Sequence, residues 1–587
     1  MKHQKLELTW IGKENVPRLE PRILLEDSAL SYHAPHRVTE HDIFDNRLIF
    51  GDNLLALKAL EQEFTGRFTC IYIDPPFNTG QAMEHYDDNL EHSIWLNIVQ
   101  PRCELLRNLL RDDGTFFMHL DDNELGYAIV LLDEIFGRAN RLYVITFKQG
   151  SATGHKAINP GCVNTTNFLI MYAKNKASWR PNRVFTGRER DKRYNQFITN
   201  PQDSYVKWRL IPLGKVFAES LGISDRDAKR DLEDYEERLN EFVQKHAAQV
   251  VRLARPSYDD VSAAARVMID QSRSDPKTIY FFQRQDHSDM YFLGGERFLF
   301  YTDKIKIIDG EPVAGEPLTT LWDDILSNNL HKEGGVEFPK GKKPESLVKR
   351  VLDLTTKPGD WVLDSFSGSG TTGAVAHKMR RRWVMIEQKD SCHTHIIPRM
   401  KRIVDGTDQD GVSKAMRWKG GGGFRYLYLA PSLLARDKYG NWIISKQYNP
   451  AMLSEALCKH EGFIYSPSET LYWQHGHSTE RDFIYVTTQS LNPQQIAALS
   501  EEVGENRSLL VCCTSFRGKA DRFPNLTLKK IPKTVLKRCE WGKDDYSLAV
   551  ASLPTREPES EAEVPYTKHP RAALEGQGNL FTVEQDA

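Results

Sequence analysis

Strand-like and helix-like runs alternate twice along this chain, with a stretch of different character between the two. From Arg47 to Lys174 they are "RLIFGDNLLALKALEQE", "FTCIYIDPPF", "SIWLNIVQPRCELLRNLLRDDGTFFMHLDD", "GYAIVLLDEIFG", "LYVITFKQ" and "TNFLIMYAKN". Pro344 to Glu387 repeat the texture as helix, strand, Gly-rich turn, helix and strand. Strand and helix in succession at this spacing require a parallel α/β sheet. Residues from about 177 to 322 must then be an insertion between two parts of one α/β domain.

The insertion opens basic, continues with "RDLEDYEERLNEFVQKHAAQVVRLAR" and ends in aromatic runs such as "TIYFFQRQ" and "MYFLGGERFLFY". Leu232, Tyr235, Leu239, Phe242 and His246 recur at helical spacing, which predicts one long charged helix packed by an apolar stripe. After "WKGGGG" the four glycines predict a break, followed by mixed helix and strand to about residue 550. The last stretch is rich in Pro, Glu and Gly and is expected to be disordered. At 587 residues the chain is too long for a single core.

Two segments look like sites. In "CIYIDPPFNTG" a strand runs into Asp74 and then two prolines, which end the strand and leave the carboxylate at its tip on stiff backbone. In "VLDSFSGSGTTG" a hydrophobic strand meets small residues and then a helix, which lets backbone approach a ligand closely. No Gly-Lys-Ser/Thr follows, so this is not a P-loop, and the spacing departs from GxGxxG. The next strand ends at Glu387, where a carboxylate can accept from both hydroxyls of a ribose.

Lys and Arg number 78 against 80 Asp and Glu, so a polyanion would have to be bound by local patches. Eight scattered cysteines without a CxxC pair fit reduced thiols in a cytoplasm. Cys392-His393-Thr394-His395 lacks a second ligand pair, so no metal is expected. No apolar run approaches the roughly 20 residues of a membrane span.

"RLIFGDNLLALKAL", "IYIDPPFNTG" and "KKPESLVKRVLDLTTKPGDWVLDSFSGSGTTG", in that order, resemble the beta class of S-adenosylmethionine-dependent DNA amino-methyltransferases. "PRCELLRNLLRDDGTFFMHLDDNE", "LLDEIFG", "NFLIMYAKN", "GGGGFRYLYL" and "KKIPKTVLKRCEWGKDDYSL" are similar to modification (Mod) subunits of type III restriction systems. The resemblance implies a Rossmann-like methyltransferase domain in two halves, 41–176 and 323–417, around an α+β target-recognition insertion, 177–322. An N-terminal extension covers 1–40, an additional α/β C-terminal region 418–550 and the tail 551–587.

The resemblance also assigns residues. Asp74 and the Pro75 carbonyl would accept the hydrogens of an adenine N6 amine, with Pro76 stiffening the segment and Phe77 stacking on the base. Lys343, Pro344, Asp364, Phe366, Gly368, Ser369, Gly370, Thr371 and Thr372 would hold S-adenosylmethionine, Glu387 its ribose and Asp52 its adenine. Asp52 equally reads as the N-cap of a helix beginning at Asn53. Such a site cannot reach a base inside double-stranded DNA, so the adenine must be flipped out.

Arg180, Arg183, Arg188, Arg190, Lys192 and Arg193, in a run of eight basic and two acidic residues with interleaved aromatics, are candidates for phosphate contacts. The expected partners are a second copy of the chain and a helicase-nuclease restriction subunit or other defence proteins. "QGNLF", Gln577 to Phe581, is similar to peptides that dock on bacterial sliding clamps. The alternatives are cytosine N4, amines or amides of RNA or protein, or a specificity subunit whose main role is to hold a nuclease on DNA. The location expected is the bacterial or archaeal cytoplasm, near the nucleoid.

Overall fold

The computed structural model describes residues 7–76, 92–150, 162–284, 288–325, 330–338, 341–518, 522–533 and 535–547. The chain divides into two units, Met1–Tyr546 and Ser547–Ala587; only Ser547 of the second is described. Phe77 and the Gln577 to Phe581 peptide lie outside the described residues.

The first unit is built on an eleven-stranded sheet. Its elements, in chain order, are β1 (Leu24–Glu26), β2 (Asn46–Phe50), α1 (Asn53–Phe64), β3 (Phe68–Ile73), α2 (His92–Leu109), β4 (Leu110–Leu120), β5 (Arg141–Lys148) and β6 (Thr166–Ala173). After the insertion come β7 (Leu321–Trp322), α3 (Glu345–Thr355), β8 (Trp361–Asp364), α4 (Thr371–Lys378), β9 (Arg382–Glu387), α5 (Ile397–Val404) and β10 (Gly423–Leu429). The spatial order is β1-β10-β2-β9-β8-β3-β4-β6-β5-β7, with Tyr32–His33 also on β10. From β10 to β4 every pair is parallel; β6 then runs antiparallel to both its neighbours.

The parallel core is apolar on both faces. All six residues of β3 are buried: Cys70 and Tyr72 enter one hydrophobic cluster, Phe68, Ile71 and Ile73 the other. β9 repeats the alternation with Trp383 and Met385 against Val384 and Ile386. Covering helices on both faces are what make such unbroken runs stable as strands. The two sequence halves interleave here, since β8 and β9 of the second lie between β2 and β3 of the first. β8 aligns with β3 so that Val362 faces Cys70 and Leu363 faces Ile71.

Among the described residues the insertion holds a six-stranded antiparallel sheet, a three-stranded sheet and four α-helices. The expected long helix is shorter: Tyr235–Lys245 is helical, Asp225–Asp231 is a separate helix, and Val250–Ala254 is a strand. β-branched Val250 and Val251 favour the pleated sheet, where they pair with Phe197, Gln196 and Phe300. The stripe does pack, through Leu239 with Tyr235 and Phe242 at its edges.

The glycine run is not the boundary of the sheet. Gly420, Gly421 and Gly422 adopt φ of 93°, 107° and 74°, and the next residues form β10, parallel to β2. Beyond it, a five-stranded sheet with helices Pro450–Glu461 and Pro493–Val503 has its own core around Trp473 and Val511. No described helix is long and apolar enough to cross a membrane.

A fully buried ionic cluster ties α3, α4 and α5 together. The Lys378 ammonium lies 2.9 Å from Glu345 and 3.0 Å from Asp408, and Arg399 lies 2.7 Å from Glu345. Burial would push the Glu345 carboxyl up, but Arg399 and Lys378 hold it below the ordinary carboxylate range. Breaking such a pair leaves a charge uncompensated in the interior. Lys378→Met, which strands Asp408, is expected to cost about 3–5 kcal/mol, read as a lower denaturant midpoint with intact secondary structure at zero denaturant.

Candidate active site

The site is made where β3 and β8 end side by side. Asp74 follows β3 and is 7 % exposed. Its neighbour Pro75 is buried, and the Pro76 carbonyl accepts a 2.7 Å hydrogen bond from the indole of Trp95 on α2. Two prolines and a tryptophan clamp thus hold the segment that carries the carboxylate. The Lys343 ammonium lies 2.8 Å from Asp74 Oδ2, and His119 Nδ1 lies 3.6 Å from Oδ1.

β8 ends at Asp364, and the chain turns through Ser365 to Gly370 into α4. Asp364 anchors the turn, accepting from the Phe366 amide at 2.9 Å and from the Thr372 hydroxyl at 2.5 Å. Gly370 stands at the helix N-terminus with φ 76°, a left-handed conformation that side chains disfavour; a Cβ there would also lie 3.1 Å from Ile396. Asn53 and Arg399 support the turn from either side, Asn53 donating to the Ser365 carbonyl at 2.8 Å and Arg399 to the Ser369 carbonyl at 3.1 Å. Glu387, at the end of β9, accepts from the Gly368 amide at 2.7 Å and the Lys389 amide at 2.9 Å.

Between these groups is a small recess, lined by Tyr72, Asp74, Lys343, Asp364 and the residues from Phe366 to Thr372 that face it. Its electrostatics are acidic. Burial pushes the Asp364 carboxyl up to about 7, against its two hydrogen bonds, and nearby Asp74 and Glu387 add to the rise. Burial also raises Glu387. Burial and the Lys343 charge hold the His119 imidazole well below its usual value, so the ring is neutral.

Most of the expected cofactor residues therefore gather in one place. Pro344 precedes α3 as its N-cap residue. Asp52 stands apart from the recess lining: its Oδ1 caps α1 by accepting from the Leu55 amide, and its Oδ2 accepts from the Tyr546 amide, beside Arg102. The candidate phosphate contacts are mostly engaged within the protein. Arg188 pairs with Glu316 and Asp323, Arg190 and Lys192 with Glu236, and Arg193 with Asp191. Arg180 donates to the carbonyls of Ala177 and Trp179, and Arg183 lies over the Phe185 ring, neither with a carboxylate partner among the described residues.

Sequence reasoning missed Asn53, Tyr72, His119, Asn167 and Arg399. Tyr72 had a readable signal, two residues before Asp74 and thus on the same face of the strand. The Cys392 to His395 run is a helical turn in which Cys392 is buried, His393 meets the Tyr426 hydroxyl and His395 the Glu337 carbonyl. No group of metal-binding residues gathers among the described residues.

A profile described as DNA methylase matches residues 68–397, more than half of the chain. The chain belongs to the DNA methylase family. A Haemophilus influenzae protein named "Probable type III restriction-modification enzyme HindVI Mod subunit" is 34% identical over 417 residues, covering 66% of this chain. The chain spans only about half, 54%, of that relative's length. The EcoP15I type III Mod subunit of Escherichia coli is 24% identical over 510 residues, covering 74% of this chain and 73% of its own. Among solved structures, the cytosine-N4-specific PvuII DNA methyltransferase is 14% identical with a TM-score of 0.29, covering 66% of this chain and 98% of its own.

The Asp364 environment makes the stability of this methylase domain depend on pH. Its folded value of about 7 exceeds that of an unfolded aspartate, roughly 3.9, so the folded chain keeps a proton that the unfolded chain releases. The contribution of this group to stability therefore falls as pH rises from about 4 to 7. Between pH 5 and pH 8 the wild-type protein is expected to lose more unfolding free energy than Asp364→Asn, as measured by denaturant titration.

Proposed function

We propose that the protein transfers a methyl group from S-adenosylmethionine to the N6 amine of an adenine flipped out of double-stranded DNA. The observation that carries this reading is the adjacency of Asp74 and the Gly-rich turn at the ends of neighbouring parallel strands. Asp74 and Asp364 in the lining, with Lys343 paired to Asp74 and Glu387 behind the Gly368 amide, suit a ligand that carries a cation and hydroxyls better than a nucleotide phosphate. Glu387 would take the ribose, and Phe366 to Thr372 with Lys343 would hold the methionine end. S-adenosylmethionine supplies an electrophilic methyl group on a sulfonium.

The work of the chain is then to make a poor nucleophile attack in line. The amine lone pair of adenine is delocalised into the ring. Asp74 and the Pro75 carbonyl, accepting the two amine hydrogens, favour a pyramidal nitrogen and offset the charge that develops on it. The clamp of prolines and Trp95 holds those acceptors still, and a misplacement of about 1 Å can cost on the order of 10²-fold in rate. To accept an amine hydrogen through Oδ2, Asp74 must share or give up its contact with Lys343.

An acidic residue before the two prolines favours adenine N6 over cytosine N4. The names of the matched relatives support a modification subunit of a type III restriction-modification system; a homodimer beside a helicase-nuclease subunit is part of the same proposal. The test uses labelled S-adenosylmethionine and unmethylated DNA. Asp74→Ala is expected to lose transfer by about 10²–10³-fold, the order of removing one hydrogen-bonding group from the transition state, while cofactor binding by calorimetry persists. Wild-type transfer by that variant would refute the role of Asp74, and N4-methylcytosine in the digested product would overturn the choice of base.

A further inference from the structure

Behind Asp74 the sheet carries a polar chain that the reading above leaves without a role. Tyr72 projects from the same face of β3; His119 is on the neighbouring strand β4, and Asn167 is on β6 beyond it. His119 Nδ1 is 2.9 Å from the Tyr72 hydroxyl, and its Nε2 is 3.0 Å from the Asn167 amide nitrogen. The three residues are 1 %, 1 % and 4 % exposed, and Phe147 of β5 closes the fourth side, edge-on at 5.0 Å. Their surroundings, Phe117, Ile145, Leu169 and Met171, are apolar. Burying three polar side chains there is costly unless each finds its partner.

The amide orientation of Asn167 sets the tautomer of the imidazole. With the amide nitrogen toward Nε2, Nε2 accepts and the ring proton sits on Nδ1. Nδ1 faces both the Tyr72 hydroxyl and Asp74 Oδ1. At 3.6 Å the ring is too far from Oδ1 for a hydrogen bond and acts on it as an oriented dipole. Lys343 faces the other oxygen. Each oxygen of Asp74 thus has its own positive neighbour, which resists rotation of the carboxylate plane.

We propose that Tyr72, His119 and Asn167 are positioning residues that lock the His119 proton on Nδ1 and so orient the Asp74 carboxylate for the amine. This rests on the assignment of Asp74 made above. Among the described residues, charged or titratable groups that face the ring include Tyr72 from β3, Asp74 just after it and Lys343 from the segment before α3; β6 and β5 contribute Asn167 and Phe147. Neutrality of the ring matters to the device, since an imidazolium would bind Asp74 as an ion pair and compete with the amine.

The test compares four variants of the full chain with wild type for methyl transfer to unmethylated DNA at saturating labelled S-adenosylmethionine, with cofactor affinity from calorimetry. His119→Phe is expected to lower the maximal rate about 10–100-fold, the order of a misplaced reacting group, with cofactor affinity within twofold. His119→Asn, whose amide can restore the donor, should recover at least part of that rate. Asn167→Asp places a carboxylate on Nε2, favours the imidazolium and should create a new limb in which the rate falls as pH drops from 9 to 6. Wild type lacks that limb because its ring is already neutral. If Asp74→Ala is inactive while His119→Phe and Asn167→Asp keep wild-type rates and pH profiles, the positioning role is refuted. If Asp74→Ala transfers as wild type does, the assignment of Asp74 falls and takes the positioning role with it.

Discussion

The pairing of β8 with β3 is the contact on which the rest depends. It sets strands from two distant parts of the chain about 4.8 Å apart, with Val362 opposite Cys70 and Leu363 opposite Ile71. Because the strands are parallel, their carboxyl ends lie at one edge, and Asp74 and Asp364 emerge there together. A slip of one residue would turn every side chain of the strand to the opposite face. The alternation of Cys70 and Tyr72 with Ile71 and Ile73 between two cores forbids it. The long connection between the strands costs little more than a short one, since loop-closure entropy grows only logarithmically with length. That tolerance is what permits an insertion with sheets of its own between the two strands.

Charge is distributed around the recess with a consistent logic. Carboxylates of Asp74, Asp364 and Glu387 line or border the recess, and burial, with the proximity of the other two adding to it, raises the Asp364 carboxyl. Lys343 compensates Asp74, whereas Arg399 and Lys378 share Glu345 in the cluster beneath the turn. Arg399 serves both, since it pairs with Glu345 and also donates to the Ser369 carbonyl and the Thr371 hydroxyl. The shape of the Gly-rich turn is therefore coupled to a buried ion cluster as well as to its glycines. Lys342, next to Lys343, donates to the carbonyls of Glu333 and Val336, which anchors the backbone from which Lys343 reaches Asp74.

The insertion carries a different lesson about basic runs. Arg188, Arg190, Lys192 and Arg193 look in sequence like a patch for phosphates, yet in the fold each meets a carboxylate from its own or a neighbouring element. Exposed pairs of this kind contribute little to stability and leave less net charge to attract a polyanion. Arg180 and Arg183 keep theirs without a carboxylate partner among the described residues.

By itself the sequence determined the local chemistry. Apolar runs broken by Asp-Pro-Pro or by Gly-Ser-Gly announce strands that end in a carboxylate or a close-approach turn, because proline and glycine act on their own backbone. It also determined that an insertion interrupts one α/β domain. It did not show that "GFRYLYL" extends the central sheet, or that the predicted long helix stops at Lys245, because both depend on what a strand finds beside it. The side chains around Asp74 were the least legible. His119, Asn167 and Lys343 are brought to it by neighbouring strands and a distant segment, and no spacing along the chain encodes a contact that exists only between strands. Which groups are charged was likewise settled by the tertiary structure, since burial and the nearest ion, not residue type, set the protonation of His119 and Asp364.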